Sequence, residues 1–389
     1  MICAFLSLRN PRFSALFRAM KATWDPISRA NDRTDRDLES QEVGGVCIPV
    51  DMGVNHVVSR AIGAALFLLF SGCAPLDITS VGPVEARNLH PVQMTALNPL
   101  PFDPGESDPR PRLGMRMDWA NLWLLSGPGT DAIQLDGEIL RTEAFFRVPF
   151  GEDWTVGVGI PWVHASGGVL DTFIETWHAF FGLPQNLRNR LPKDAQLIQA
   201  IRRGGGGAPD QVAYNLDREE LELGDIPIQL HKTLWRVGGM GVGLAGGLEF
   251  PTGSQKKGIG NGGVDTSIGG DLSFHGNHFA AFAWIHRVWV AQAARAKQAG
   301  LPYNDLWKAG LGGQIGLSPR LSLLSQLNFE TSVLKALRNE HASKDQLLLW
   351  AGLRFMANSD LQVDLMVGED LITDVSPDVT IHLSFRIRL

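Results

Sequence analysis

The sequence closes on DVTIHLSFRIRL, residues 378–389, in which Val379, Ile381, Leu383, Phe385, Ile387 and Leu389 alternate with Thr380, His382, Ser384, Arg386 and Arg388. Successive side chains of a β-strand point to opposite faces, so this stretch has one apolar and one hydrophilic face. A last strand of this form suits a sheet that closes on its own first strand and leaves no unpaired edge.

The same period of two runs back through the chain. Leu113, Met115, Met117 and Trp119 oppose Arg112, Arg116 and Asp118; Leu140, Ala144, Phe146 and Val148 oppose Arg141, Glu143 and Arg147. Trp154 to Trp162, 226–235, 241–250, 264–274, 278–290, 306–317, 321–333, 346–356 and 361–368 continue the series. These are about twelve runs of roughly ten residues, the length a tilted strand needs to cross a bilayer. Short turns (GED, RVGG, HGN, SPR, ANSD) alternate with longer loops (SGPGTDAIQLDG, PTGSQKKGIGNGG, AQAARAKQAGLPYN). Short turns at one end and long loops at the other are the habit of outer-membrane barrels. The expected fold is therefore all-β: a transmembrane antiparallel barrel of about twelve strands over 112–389. Soluble strands are shorter and less uniform, which disfavours a β-sandwich or a soluble barrel around an apolar cavity.

Composition agrees. The 389 residues carry a net charge of −6, so no global basic field points to nucleic acid. The mean hydropathy of −0.01 excludes a bundle of membrane-spanning helices. Cys3, Cys47 and Cys73 all precede the barrel, which needs no disulfide. From Met52 the chain has Arg60, the apolar run 61–70 and then small residues, the three-part layout of a secretory signal over 52–74. Phe70-Ser71-Gly72-Cys73 resembles a bacterial lipobox with Phe70 in place of the usual Leu, which makes Cys73 a candidate for lipidation. Residues 1–51 are expected to be a disordered extension or to lie upstream of the true start at Met52. The Pro-rich residues 75–111 are read as an irregular lead-in.

With apolar side chains turned to lipid, the lumen receives Arg116, Asp118, Arg141, Glu143, Arg147, Glu249, Asp265, Asp271, Lys308, Glu330, Arg354, Asp364, His382, Arg386 and Arg388. Both signs occur on neighbouring strands. Such a face fits a network of ion pairs that fills the barrel, since buried charges must be paired. It also fits a hydrophilic path for a small polar solute, with Gly157, Gly159, Gly241, Gly243 and Gly247 leaving room. No single-sign ring is evident.

One segment breaks the alternation, in the loop after strand three. Phe173, Ile174, Trp177, Phe180 and Phe181 recur at helical spacing, with Asp171, Glu175 and His178 opposite. Asp171 suits the N-cap and Gly182-Leu183-Pro184 the stop. An amphipathic loop helix follows, placed at the barrel mouth, in the lumen or in the outer leaflet, where it could gate the barrel. Its Asp171, Glu175, His178 face is read as solvated and not as a metal site; no cofactor is expected.

GGVLDTFIETWHAFFGLP (167–184), with NPLPF (98–102), LGDI (223–226) and FPTG (250–253), resembles domain-of-unknown-function family 3187 of Gram-negative outer-membrane proteins. The resemblance covers roughly residue 95 to the end. It implies an outer-membrane barrel and no established activity.

The function expected is a channel or passive transporter for small solutes, gated by the loop helix. An alternative is an acyl hydrolase acting on outer-membrane lipid. His164 and Ser166 share one strand face, so the imidazole could activate the hydroxyl. The pair resembles the His-x-Ser placement in outer-membrane phospholipase and lipid A deacylase enzymes, with Asp171 the nearest third member. A structural envelope role is the other alternative. Arg188, Arg190, Lys193, Arg202 and Arg203 could then meet lipopolysaccharide phosphates. Outer-membrane lipid and the outer-membrane assembly machinery, which reads terminal strands of this kind, are the expected partners.

Overall fold

The computed structural model describes residues 81–389 apart from 126–130, 182–192, 194, 205–207, 218, 340 and 373–376. The readings for 1–51, for the signal at 52–74 and for Cys73 lie outside the described residues.

The strands are β1 Arg112–Leu125, β2 Ala132–Phe150, β3 Trp154–Ser166, β4 Leu197–Arg202, β5 Gln211–Leu216, β6 Glu219–Leu223, β7 Ile226–Val237, β8 Met240–Phe250, β9 Asp265–His275, β10 Phe279–Trp289, β11 Leu306–Ser318, β12 Leu321–Glu330, β13 Gln346–Met356, β14 Leu361–Asp370 and β15 Val379–Arg388. Twelve of them form a closed antiparallel barrel; β4, β5 and β6 are short additions in the long loop between β3 and β7. Closure is made by β15 on β1, in register from Arg112 opposite Arg388 to Asn121 opposite Val379. The closing ladder thereby pairs the edges of the first and last strands without water, as a hydrocarbon surround requires.

The alternation resolves as expected. Phe385 is 39% and Ile387 44% exposed, which excludes an enclosed apolar core on that face. Leu113, Met115, Ile160, Leu244, Leu272, Ile285, Leu311 and Leu365 extend this exposed belt around the wall. No helix among the described residues is long and apolar enough to cross a membrane.

Three features depart from the sequence reading. The first loop is shorter than expected, because β2 begins at Ala132 and pairs with β1 up to Gln134. Its upper part turns Ile133, Leu135 and Ile139 into an apolar core that closes the long-loop end of the barrel. Asp131, just before β2, ties this end together: it accepts from Arg202 at 3.1 Å and from Arg338 at 3.0 Å, and from the backbone N–H of Arg203. Finally, the β3–β7 seam is interrupted. Its ladder stops at Val158 opposite Ile228 and resumes only where Gly224 N–H meets the Pro161 carbonyl. Pro161 and Pro227 lack an N–H, so each removes one donor from the ladder there.

Candidate functional site

The lumen is occupied by the chain's own residues 81–111, which contain one short 3₁₀ turn, Gln93–Thr95, and no strand. Their course follows from what they touch. Near the short-turn end the Gly82 carbonyl accepts from Arg354 of β13. Val84 then bonds through both backbone groups to the Gln326 amide on β12, at 2.8 and 3.0 Å. At the long-loop end Asn88 reaches Gln346 and Glu330, and Gln93 donates to Glu330 and to the Thr331 carbonyl. The chain turns back there. Leu97 N–H meets Asp265 at 2.8 Å, Asn98 accepts from Lys308 at 3.0 Å, and Phe102 N–H meets Asp271 at 3.1 Å. Gly105 N–H on Ser273 and Asp103 against His275 complete the return to the short-turn end.

This plug has two kinds of contact. At its turn Leu89, Val92, Met94, Ala96 and Leu97 join the apolar core with Leu122, Ile133, Ile139 and Val163. Below the turn the contacts are polar, and Glu85 is their centre. Its Oε2 receives Arg116 at 2.5 Å, and its Oε1 receives both Arg147 and Arg386 at 2.7 Å. Three arginines from β1, β2 and β15 thus converge on one plug carboxylate. Arg116 also pairs with Glu143, which in turn binds Arg141. The guanidinium of Arg116 lies 4.7 Å from the centre of the Phe145 ring. That ring fits because position 114 is glycine: a Cβ there would stand 2.4 Å from it.

The inward charges of the sequence reading are buried and mostly paired. Arg354 grips Asp364 through two bonds of 2.8 Å, His382 meets Asp118 at 2.7 Å, and Lys308 lies 3.2 Å from Glu330. Glu249 lies 3.6 Å from Arg87 of the plug, and Asp271 3.3 Å from His286. Arg388 is the outermost and reaches Asp108 at 3.4 Å. Asp225, in the bend between β6 and β7, accepts the Gly253 N–H at 2.7 Å, and burial pushes its carboxyl up to about 6. Two cavities of about 10 Å³ flank the interrupted seam; each has room for about one water. A cavity of about 180 Å³ opens at the short-turn end between Arg112, Arg147, Trp154 and Arg236.

Helix α1, Asp171–Phe181, follows β3 and packs on the other side of the wall. Leu170 and Ile174 meet Val379 and Trp119, which belong to the outward rows of β15 and β1. Glu138 of β2 fixes the start of the helix. It accepts from the Trp119 indole at 2.8 Å and from the backbone N–H groups of Val169 and Leu170. A carboxylate there also suits the positive end of the helix dipole. Asp171 differs from its expected place on a solvated face: it is buried and accepts from Asn121 at 3.2 Å. Phe173, expected in the packed stripe, is instead 50% exposed. The side chains of Trp177, His178 and Phe181 lie outside the described residues.

His164 and Ser166 stand opposite Leu140 and Glu138. The His164 ring meets the Glu220 carbonyl, and β2 lies between that strand and the β1 partner of Asp171. Among the described residues no group of three or more His, Cys, Asp or Glu is arranged to hold a metal. Of the loop cations, Lys193 pairs with Glu175 and Arg203 with Asp210. Arg188 and Arg190 lie outside the described residues. The residue the sequence reading missed is Glu85, whose stretch carries no strand or helix period.

Among solved structures, the chain is similar to the COG4313 outer membrane channel from Pseudomonas putida F1, at 11% identity over 75% of this chain and all of that one, with a TM-score of 0.48. The KdgM porin aligns at 6% identity over 72% of this chain and 99% of that one, TM-score 0.38. The P. putida toluene transporter TodX aligns at 11% over 73% and 91%, TM-score 0.34. No curated protein matches the chain. The family described as "Protein of unknown function (DUF3187)" matches residues 74–389, plug and barrel together, and the chain belongs to that family.

Proposed function

We propose that the protein is a bacterial outer-membrane channel or passive transporter for small solutes, opened and closed by its N-terminal plug. The observation that carries this reading is the plug's lower half, which is held in a hydrophilic lumen by hydrogen bonds and ion pairs. Polar contacts of this kind can be taken over by water or by a charged solute, for which a packed apolar core offers no equivalent. Helix α1 rests on the outer face of the wall, which argues against it as the gate. The apolar belt faces outer-membrane lipid, and β15 is the strand the assembly machinery would read.

A reversible lock tests the proposal. Gly105 approaches Ser273 so closely that a Cβ at 105 would stand 2.7 Å from the serine Oγ. The double variant Gly105→Cys/Ser273→Cys can therefore tether plug to wall. In planar bilayers the wild type is expected to show discrete openings, the oxidised variant to be silent, and a reductant to restore current. Openings that persist in the oxidised, cross-linked variant would exclude the plug as gate. A wild type silent at every voltage would leave a structural envelope role.

A further inference from the structure

The plug lies between two walls of opposite charge. Strands β15, β1 and β2 turn Arg112, Arg116, Arg141, Arg147, Arg386 and Arg388 inward, with Asp118 and Glu143 as the carboxylates of the same inward rows. Across the lumen β8, β9, β11 and β12 present Glu249, Asp265, Asp271 and Glu330 around Lys308. Most of the plug's charges oppose the wall they meet, Asp103 beside His275 of β9 being an exception. Glu85, Glu106 and Asp108 face the arginines, and Arg87 faces Glu249. The arginine wall is thus compensated in part by Glu143, which stays with the barrel, and in part by carboxylates that leave with the plug.

Resting on the channel reading above, we infer that the solute is a small organic carboxylate that takes the place of the Glu85 side chain on Arg116, Arg147 and Arg386. Two of these arginines share one oxygen of Glu85 and the third takes the other, a geometry any free carboxylate can repeat. Guanidinium groups already held by the barrel lose little freedom on changing partner. Withdrawal of the plug alone would bury uncompensated cations, so an entering anion and the departing Glu85 exchange in one equilibrium.

The test reads ion preference across planar bilayers under a KCl gradient, for the wild type and for Glu85→Gln, each first shown to be folded by heat-modifiable gel migration. Glu85→Gln is expected to open more often. Both proteins should favour chloride over potassium by roughly tenfold, the lower end of the enrichment a charged cleft achieves, because the path opened at Glu85 runs along the arginines. Succinate should reduce the chloride current. Arg147→Gln/Arg386→Gln in the Glu85→Gln background should lose both the preference and the succinate block. Channels that conduct without anion preference, or a succinate block that survives loss of the two arginines, would overturn the carboxylate assignment and leave the channel reading intact. Silence of wild type and variants together would overturn the channel reading itself. Should Glu85→Gln fail to fold, the wild-type openings carry the same readout.

Discussion

Residues 81–111 and helix α1 both pack against β1 and β2, and they occupy opposite faces of that wall. The plug meets the inward row, Arg116, Asp118 and Arg147; α1 meets the outward row, Trp119, Asn121 and Glu138. A single strand, β1, therefore serves both through its alternation. The difference teaches where each segment gets its stability. The lower plug is held by charge pairs inside a closed lumen, whereas α1 is held by an apolar contact and one capping carboxylate against the outside.

The sharpest way to break this contrast is Glu85→Ala. It leaves Arg116, Arg147 and Arg386 around a vacated carboxylate site, and removing one partner of a buried charge network costs about 3–5 kcal/mol. Urea unfolding in lipid vesicles, followed by tryptophan fluorescence, reads the loss. A cost below about 1 kcal/mol would mean that the plug leaves the lumen readily and that water already solvates the arginines. On the outer face, Ile174→Ala removes a fully buried side chain from its contact with Val379 and Trp119. It should cost about 2–4 kcal/mol. Channel openings should be unchanged; a rise in open probability would make α1 the gate after all. Glu138→Ala deletes the acceptor of Trp119, Val169 and Leu170 and should cost about 2 kcal/mol. Faster amide exchange at Val169 and Leu170, with the plug amides Leu97 and Phe102 unaffected, would show that the two faces are independent.

The same comparison explains what the sequence could reveal. Each barrel strand carries its own evidence, because period two is local: Val379 to Arg388 alone tell which side chains face out of the barrel. Helix α1 is legible for the same reason, through the spacing of Phe173, Ile174 and Trp177, but spacing cannot say which surface it covers. That is decided by Glu138, Asn121 and Val379, which are distant in sequence and unremarkable in their own strands. The plug is illegible locally. Pro83, Pro91, Pro99, Pro101 and Pro104 interrupt any period, and its burial comes from strands that close around it from the rest of the chain. The charged lumen rows were readable as inward; that Glu85 is the partner of three of them was not, since a lone glutamate in an irregular segment has the pattern of a solvated loop.

A pH-dependent effect concerns the bend beside the interrupted seam, where the wall carries a buried titratable group. Burial raises Asp225 to about 6, while its Oδ1 keeps the Gly253 N–H. An acid whose folded value exceeds its unfolded value of about 3.9 favours the folded state when protonated. Its contribution is therefore complete below about pH 4 and is lost as the pH rises through about 6. Asp225→Asn keeps an acceptor for Gly253 and stays neutral throughout, so it should match the wild type at low pH. By pH 7 the variant should be the more stable by about 2–3 kcal/mol, the worth of a shift of about two pKa units. The difference between the two urea midpoints, taken from pH 4 to pH 7, isolates this group from every other titration in the barrel. A flat difference would mean that the carboxylate is already ionised and solvated at pH 4, and that the seam at Pro161 and Pro227 admits water from the lumen.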